Sequence, residues 1–271
     1  MDLRNYLRNE EQVRQASQLL NYQPYVLSDD LQTGVAHSWL YRDEGGRNSW
    51  ASHWLCDRRL VPREVWNQFA DANGRLRNMY EDWINVIVQH FPTGSLVDVG
   101  CNSGYFPLRA QQLGMRECTG YDQAEYGSAV DFLNKVLGMH VRFYQQGYDV
   151  YKHFIPGCKE HDVAVASLLI CHLPDPLHFL ACLGRIARKG VFLFTGMAES
   201  DDFTIHYNYP NKFYKDRVFP YNFDNDTGLS RGLLFKSMEW MGFTKVVEVP
   251  YRESWLPRQW FSTQKALLFL R

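Results

Sequence analysis

In Leu96-Val97-Asp98-Val99-Gly100-Cys101-Asn102-Ser103-Gly104-Tyr105-Phe106, a short apolar run meets two glycines spaced Gly-x-x-x-Gly, and Pro107-Leu108-Arg109-Ala110-Gln111-Gln112-Leu113 then reads as a helix. The pattern predicts a buried strand, a tight turn and a helix start. A second strand, Glu117-Cys118-Thr119-Gly120-Tyr121-Asp122, ends in an acid. Such a turn lets a ligand approach bare backbone at a helix N-terminus, and an acid about 20 residues past the loop is where a ribose hydroxyl pair would be held.

Two other glycine loops fail on the residues present. A dinucleotide fingerprint wants glycine two and five positions after Gly100, where Asn102 and Tyr105 stand. A phosphate-binding P-loop wants Gly-Lys-Ser/Thr, and no lysine follows Gly104. The order apolar-Asp-apolar-Gly-x-x-x-Gly resembles motif I of the class I S-adenosylmethionine-dependent methyltransferases, with Asn102 at the usual central glycine. That resemblance covers roughly Leu96 to Arg271. It implies an α/β fold with a Rossmann-like, seven-stranded sheet and S-adenosyl-L-methionine as cofactor. It puts Asp98, Gly100, Asn102 and Gly104 at the cofactor's amino-acid end, Asp122 on its ribose, Gln123 and Gln146 on its adenine side, and Ser167 in the same set. A structural turn that binds nothing is the alternative, and the joint presence of Asp98, both glycines and Asp122 argues against it.

Composition narrows the partners. A formal net charge of -1 over 271 residues gives no basic footprint for nucleic acid. Six cysteines without a Cys-x-x-Cys pair read as reduced core thiols of a cytoplasmic protein. The N-terminus lacks the apolar core of a signal peptide, and nothing approaches the roughly 20 apolar residues of a membrane span. Oligomeric state is not legible.

The chain divides into a helical N-terminal extension, or lid, over residues 1–90 and a cofactor-binding core over 91–271. Residues 1 to 20 show helical spacing at Leu3, Tyr6, Leu7, Val13, Ala16 and Leu20, and Pro62 is placed as the first residue of a long helix with an apolar stripe from Val65 to Val88. Between them, His37 and Trp39 sit in a loop-rich run that a lid of this class folds over the cofactor; plain packing on the core is the other reading. Crossover helices and strands then alternate to Thr195. The stretch 201–226 breaks that alternation with an aromatic insertion, including His206, Tyr207 and Tyr209, suited to one wall of an acceptor pocket. The last two strands are expected to form the antiparallel pair that closes the sheet.

Methyl transfer to a hydroxyl needs a group that takes its proton, and a histidine is suited to that. His172, just past the fourth strand in Ile170-Cys171-His172-Leu173-Pro174-Asp175-Pro176, is the first candidate base, followed by His206 and His37; pocket lining without proton transfer is the competing role. Trp39, Tyr207 and Tyr209 are candidate acceptor contacts. His53, His90, His140, His153, His161 and His178 read as structural. No His-Glu-x-x-His or similar spacing points to a metal. The expected function is transfer of a methyl group to a small-molecule acceptor, most simply at oxygen. An RNA methyltransferase and a non-catalytic module with the same fold are the alternatives. The loop and the segment ending near Phe219-Pro220 are also similar to the bacterial enzymes that complete the 5-oxyacetyl modification of wobble uridine in tRNA. Where those enzymes carry a Tyr and an Arg for a carboxylated cofactor, this chain has Cys171 and Pro174.

Overall fold

In the computed structural model, which describes residues 1–34, 55–146, 159–173, 175–208, 226–250 and 264–271, the first residues are not helical. Asp2 bridges Val26, and the Leu3 amide donates to the Val26 carbonyl at 2.8 Å. Leu3 is fully buried by that pairing. The helix expected over residues 1 to 20 is therefore α1 (Glu10–Leu19), begun where the Asn9 side chain accepts from the Gln12 amide at 2.9 Å. β1 (Leu31–Thr33) and β2 (Leu55–Asp57) pair antiparallel. α2 (Arg63–His90) is a continuous helix through Gly74, with Pro62 as its N-cap rather than its first residue.

The core then alternates as expected. β3 (Ser95–Val99) is buried at every position, the mark of a central parallel strand covered on both faces. α3 (Tyr105–Gln112), β4 (Glu117–Asp122), α4 (Gly127–Leu137) and β5 (Arg142–Gln145) follow. β6 (His161–Ser167) leads into a short 3-10 turn, Ile170–His172, and α5 (Pro176–Ile186) starts where Asp175 accepts from the His178 amide at 3.0 Å. β7 (Ala187–Ala198), β8 (Ile205–Asn208), β9 (Asp226–Ser230), α6 (Arg231–Trp240), β10 (Lys245–Glu248) and β11 (Gln264–Leu270) complete the order.

The sheet runs β10-β11-β7-β6-β3-β4-β5, a path of seven strands. β3 to β7 are mutually parallel, β11 runs antiparallel to β7, and β10 antiparallel to β11, the closing antiparallel pair that was expected. One feature was not legible: β9 pairs in parallel with the end of β7, and β8 pairs antiparallel with β9, so one strand, β8, lies inside the segment 201–226 read as an aromatic insertion and β9 starts at its end. Chain order reverses direction between β3 and β6, and in sheets of this kind ligands bind beyond the carboxyl ends at that point.

Helices cover the sheet through apolar stripes. Trp83 on α2 is fully buried and lies 4.3 Å from the Phe194 ring and 5.7 Å from the Phe192 ring, both on β7, and it stacks on Phe106 of α3 at 6.2 Å. This one indole joins the N-terminal half of the chain to the sheet, in accord with the reading of that stripe as core.

Candidate functional site

β3 and β4 run side by side with Asp98 opposite Gly120 and Val99 opposite Tyr121. Just beyond them the chain turns through positive φ at Gly100 (79°), Asn102 (51°) and Gly104 (84°). The turn folds back onto β4, where the Gly100 and Cys101 amides donate to the Tyr121 carbonyl at 2.8 and 3.1 Å. Gly120 makes room for it: a Cβ there would lie 2.6 Å from Cys101 Sγ. Gly104 is required twice over, since its φ suits glycine and a Cβ would meet Val130 Cγ2 at 3.1 Å. Asn102 takes the left-handed position that a central glycine would hold. Asparagine tolerates that region, and its Oδ1 accepts from the Ser103 amide at 2.8 Å.

The acid that ends β4 faces this turn. Asp122 Oδ2 accepts from the Asn102 amide at 2.8 Å, and Oδ1 accepts from the Ala124 amide at 3.0 Å. Burial pushes the Asp122 carboxyl above the usual carboxylate range, opposed by the amides of Ala124, Asn102 and Gln123. Each carboxylate oxygen can accept twice, so the group keeps capacity for a further donor. Asp98 lies deeper, 1% exposed, with Oδ2 lacking a hydrogen-bond partner among the described residues. Burial first, and then the charge of Asp122, push its carboxyl well above the ordinary range. A buried carboxylate oxygen without a partner is costly, and it fits a ligand that brings a donor or a positive charge.

The amides of the turn are committed within the protein. Beyond the bonds of Gly100, Cys101 and Asn102, the Ser103 amide goes to Asn102 Oδ1 and the Gly104 amide to the Cys101 carbonyl at 3.0 Å. The Tyr105 amide, first in α3, donates to Gln23 Oε1 at 3.1 Å. With these amides committed, the turn is poorly made for a phosphate and well made for a ligand that donates hydrogen bonds.

Several residues here carried no sequence signal. Gln23, only 3% exposed, also donates through Nε2 to the Cys101 carbonyl at 3.2 Å and accepts from Ser103 Oγ at 2.9 Å. Tyr25, fully buried, donates to the Ser103 carbonyl at 3.2 Å. Asn21 donates to the Tyr126 hydroxyl at 2.8 Å. The half-buried Tyr22 has its phenol pushed up by burial, with the charges of Asp122 and Asp98 adding to the shift.

Among the described residues, Gln123, Gln146, Ser167 and His172 lie at or just past the carboxyl ends of β4, β5 and β6. Gln123 is exposed after β4, and the amide of the half-buried Gln146 donates to the Asp122 carbonyl at 2.7 Å. Ser167 is half-buried at the end of β6, followed by Leu168 at φ 54°. His172 is exposed on the 3-10 turn, which β9 packs against. His206, exposed on β8, has Nε2 3.0 Å from Thr204 Oγ1. Tyr207 lies opposite Thr227 in the β8–β9 pair. His37, Trp39, Tyr209 and Pro174 lie outside the described residues. His161 is buried, with Nε2 3.2 Å from Thr119 Oγ1, and burial lowers its pKa. The buried thiols of Cys56 and Cys118 are pushed up to about 12, and the described cysteines are free.

Comparison with known proteins agrees with this geometry. The profile of one family, described as a methyltransferase domain, matches residues 72–240. A tRNA U34 carboxymethyltransferase of Nautilia profundicola is 26% identical over 149 residues, covering 53% of this chain and 47% of that protein. The chain thus spans about half the length of the curated relatives it matches. Among solved structures, the N-terminal domain of EvdMO1 with SAH bound superposes with a TM-score of 0.58 at 17% identity, covering 98% of each chain. That domain has also been solved in the presence of SAH and D-fucose. Magnesium protoporphyrin IX methyltransferase from Synechocystis PCC 6803 with bound SAM gives a TM-score of 0.50 at 15% identity, over 75% of this chain and 83% of that one. These structural matches show a shared fold.

Proposed function

The chain belongs to the methyltransferase-domain family, and on that premise we propose that it uses S-adenosyl-L-methionine to methylate an oxygen atom of a small-molecule acceptor. The observation that carries this reading is the joined turn and acid: the Asn102 amide on Asp122 Oδ2, with Asp98 Oδ2 left unpartnered beneath. Asp122 would hold the ribose hydroxyls, and Gln123 and Gln146 would border the adenine. Asp98, with Gly100, Asn102 and Gly104, would receive the ammonium of the amino-acid end, and Ser167 would close the adjoining side. The bound cofactor supplies an electrophilic methyl group. The chain's own contribution is to position the acceptor and exclude water.

His172, on the same carboxyl edge one strand away from β3, is the proposed base that takes the acceptor's proton. His206 and His37 are the substitutes, and Trp39, Tyr207 and Tyr209 the proposed acceptor contacts. The bonds of Asn21, Gln23 and Tyr25 support a division into a covering N-terminal part, 1–90, and a core, 91–271. SAH binding measured by calorimetry tests the cofactor role: wild type should release heat, and Asp122→Ala should bind more weakly. No heat with wild type, or unchanged affinity in the variant, would count against it.

The curated relative favours a second reading, a methyltransferase acting on tRNA. The net charge of -1 speaks against broad phosphate contacts. A steep fall of tRNA binding with salt would favour the second reading, and methylation of a small sugar or aromatic acceptor the first.

A further inference from the structure

We infer that Gln23 is a positioning residue for the cofactor turn, acting through the backbone of residues 101–105; the inference rests on the proposed cofactor site. Its carboxamide spans the turn. Nε2 holds the Cys101 carbonyl on the entry side, while Oε1 holds Ser103 Oγ and the Tyr105 amide on the exit side, at 3.2, 2.9 and 3.1 Å. Between these anchors stands Asn102, at φ 51°, whose amide reaches Asp122. Asparagine in that region is disfavoured relative to glycine, so the conformation needs support from outside the turn.

That support is local and redundant in direction. Tyr25 donates to the Ser103 carbonyl, and Thr33 Oγ1 donates to the Gln23 carbonyl at 2.8 Å, fixing the backbone from which the carboxamide projects. The Tyr105 amide opens a helix and so has no acceptor within that helix, at the kind of place where a ligand anion often binds. Gln23 occupies it, so the turn's shape is set by the protein before any ligand arrives.

The consequence is selective. The turn faces the amino-acid end of the cofactor, whereas Asp122 also draws on the Ala124 amide, which Gln23 does not touch. Loss of the carboxamide should therefore weaken ligands that carry the amino-acid tail and spare those that lack it. The test compares SAH with 5′-methylthioadenosine by calorimetry on the full chain, in wild type, Gln23→Met and Tyr25→Phe. Gln23→Met keeps the chain length and removes the hydrogen bonds; SAH affinity should fall about tenfold, the equivalent of roughly one net hydrogen bond, while 5′-methylthioadenosine stays within about threefold. Tyr25→Phe, a milder change, should show the same split at smaller size. Equal losses for both ligands in both variants would make Gln23 a merely structural residue and overturn the inference, as would no loss for either. Wild type that binds neither ligand would instead remove the cofactor site itself.

Discussion

Asn102 and Asp122, 20 residues apart in the chain, are joined by a 2.8 Å hydrogen bond from the amide of one to the carboxylate of the other. The turn after β3 and the end of β4 are thus one rigid object. A ligand that engages either feels the other.

Asp122→Asn should separate them. The amide side chain keeps one acceptor but turns an NH2 group toward either the Asn102 or the Ala124 amide, placing donor against donor. Hydrogen bonds to charged groups contribute about 1.5–3 kcal/mol, so SAH affinity should fall by about one to two orders of magnitude. Calorimetric titration reads this directly, and an unchanged dissociation constant would show that the carboxylate is not part of the site.

The committed amides of the turn give a second expectation. ADP should compete with SAH no better than adenosine does, because its phosphates find no free N–H between Gly100 and Tyr105. ADP binding about tenfold tighter than adenosine, some 1.4 kcal/mol, would mean that the turn opens to receive an anion.

Acid–base behaviour gives a third. Asp98 is pushed well above the ordinary carboxylate range, first by burial and then by Asp122. A native carboxyl with a raised pKa keeps its proton where the unfolded chain has lost it, so stability falls as pH rises from the ordinary carboxylate range through the folded value and then levels off. The melting temperature of ligand-free wild type should decline across that window, and Asp98→Asn should flatten the profile. Parallel profiles would assign the shift to other groups. If a ligand ammonium meets Asp98, SAH binding should also release protons, visible as a dependence of the heat on buffer ionisation.

Packing gives a fourth. Trp83→Ala removes the indole that touches Phe106, Phe192 and Phe194, and a core change of that kind costs about 3–5 kcal/mol. Chemical denaturation should show a loss of this order. A loss under about 1 kcal/mol would place α2 outside the cooperative core.

What the sequence disclosed, and what it hid, follows from the range of the forces involved. The strand-turn-helix at Leu96 to Phe106 was legible because its constraints are local: left-handed backbone selects Gly100, Asn102 and Gly104, and a central strand buried at every position selects Leu96, Val97 and Val99 around Asp98. The alternation of helices and strands was legible in the same way, while the seven-stranded path was what the resemblance to class I methyltransferases implied. The first helix was overestimated because Leu3 has helical spacing yet spends its backbone on Val26, a partner on the far side of α1 in the chain. β8 and β9 were missed since their short pairing depends on the end of β7 rather than on a pattern of their own. Gln23 was invisible for the same reason in stronger form: its partners at Cys101, Ser103 and Tyr105 lie 78 to 82 residues away, and a glutamine has no periodicity to reveal it.

The most direct test is a crystal structure of the full chain with SAH, read at two places. We expect the ribose hydroxyls on Asp122 and the ligand ammonium within hydrogen-bonding distance of Asp98 Oδ2, with the turn from Gly100 to Gly104 unchanged. SAH bound elsewhere, or a nucleoside whose ribose turns away from Asp122, would contradict the account.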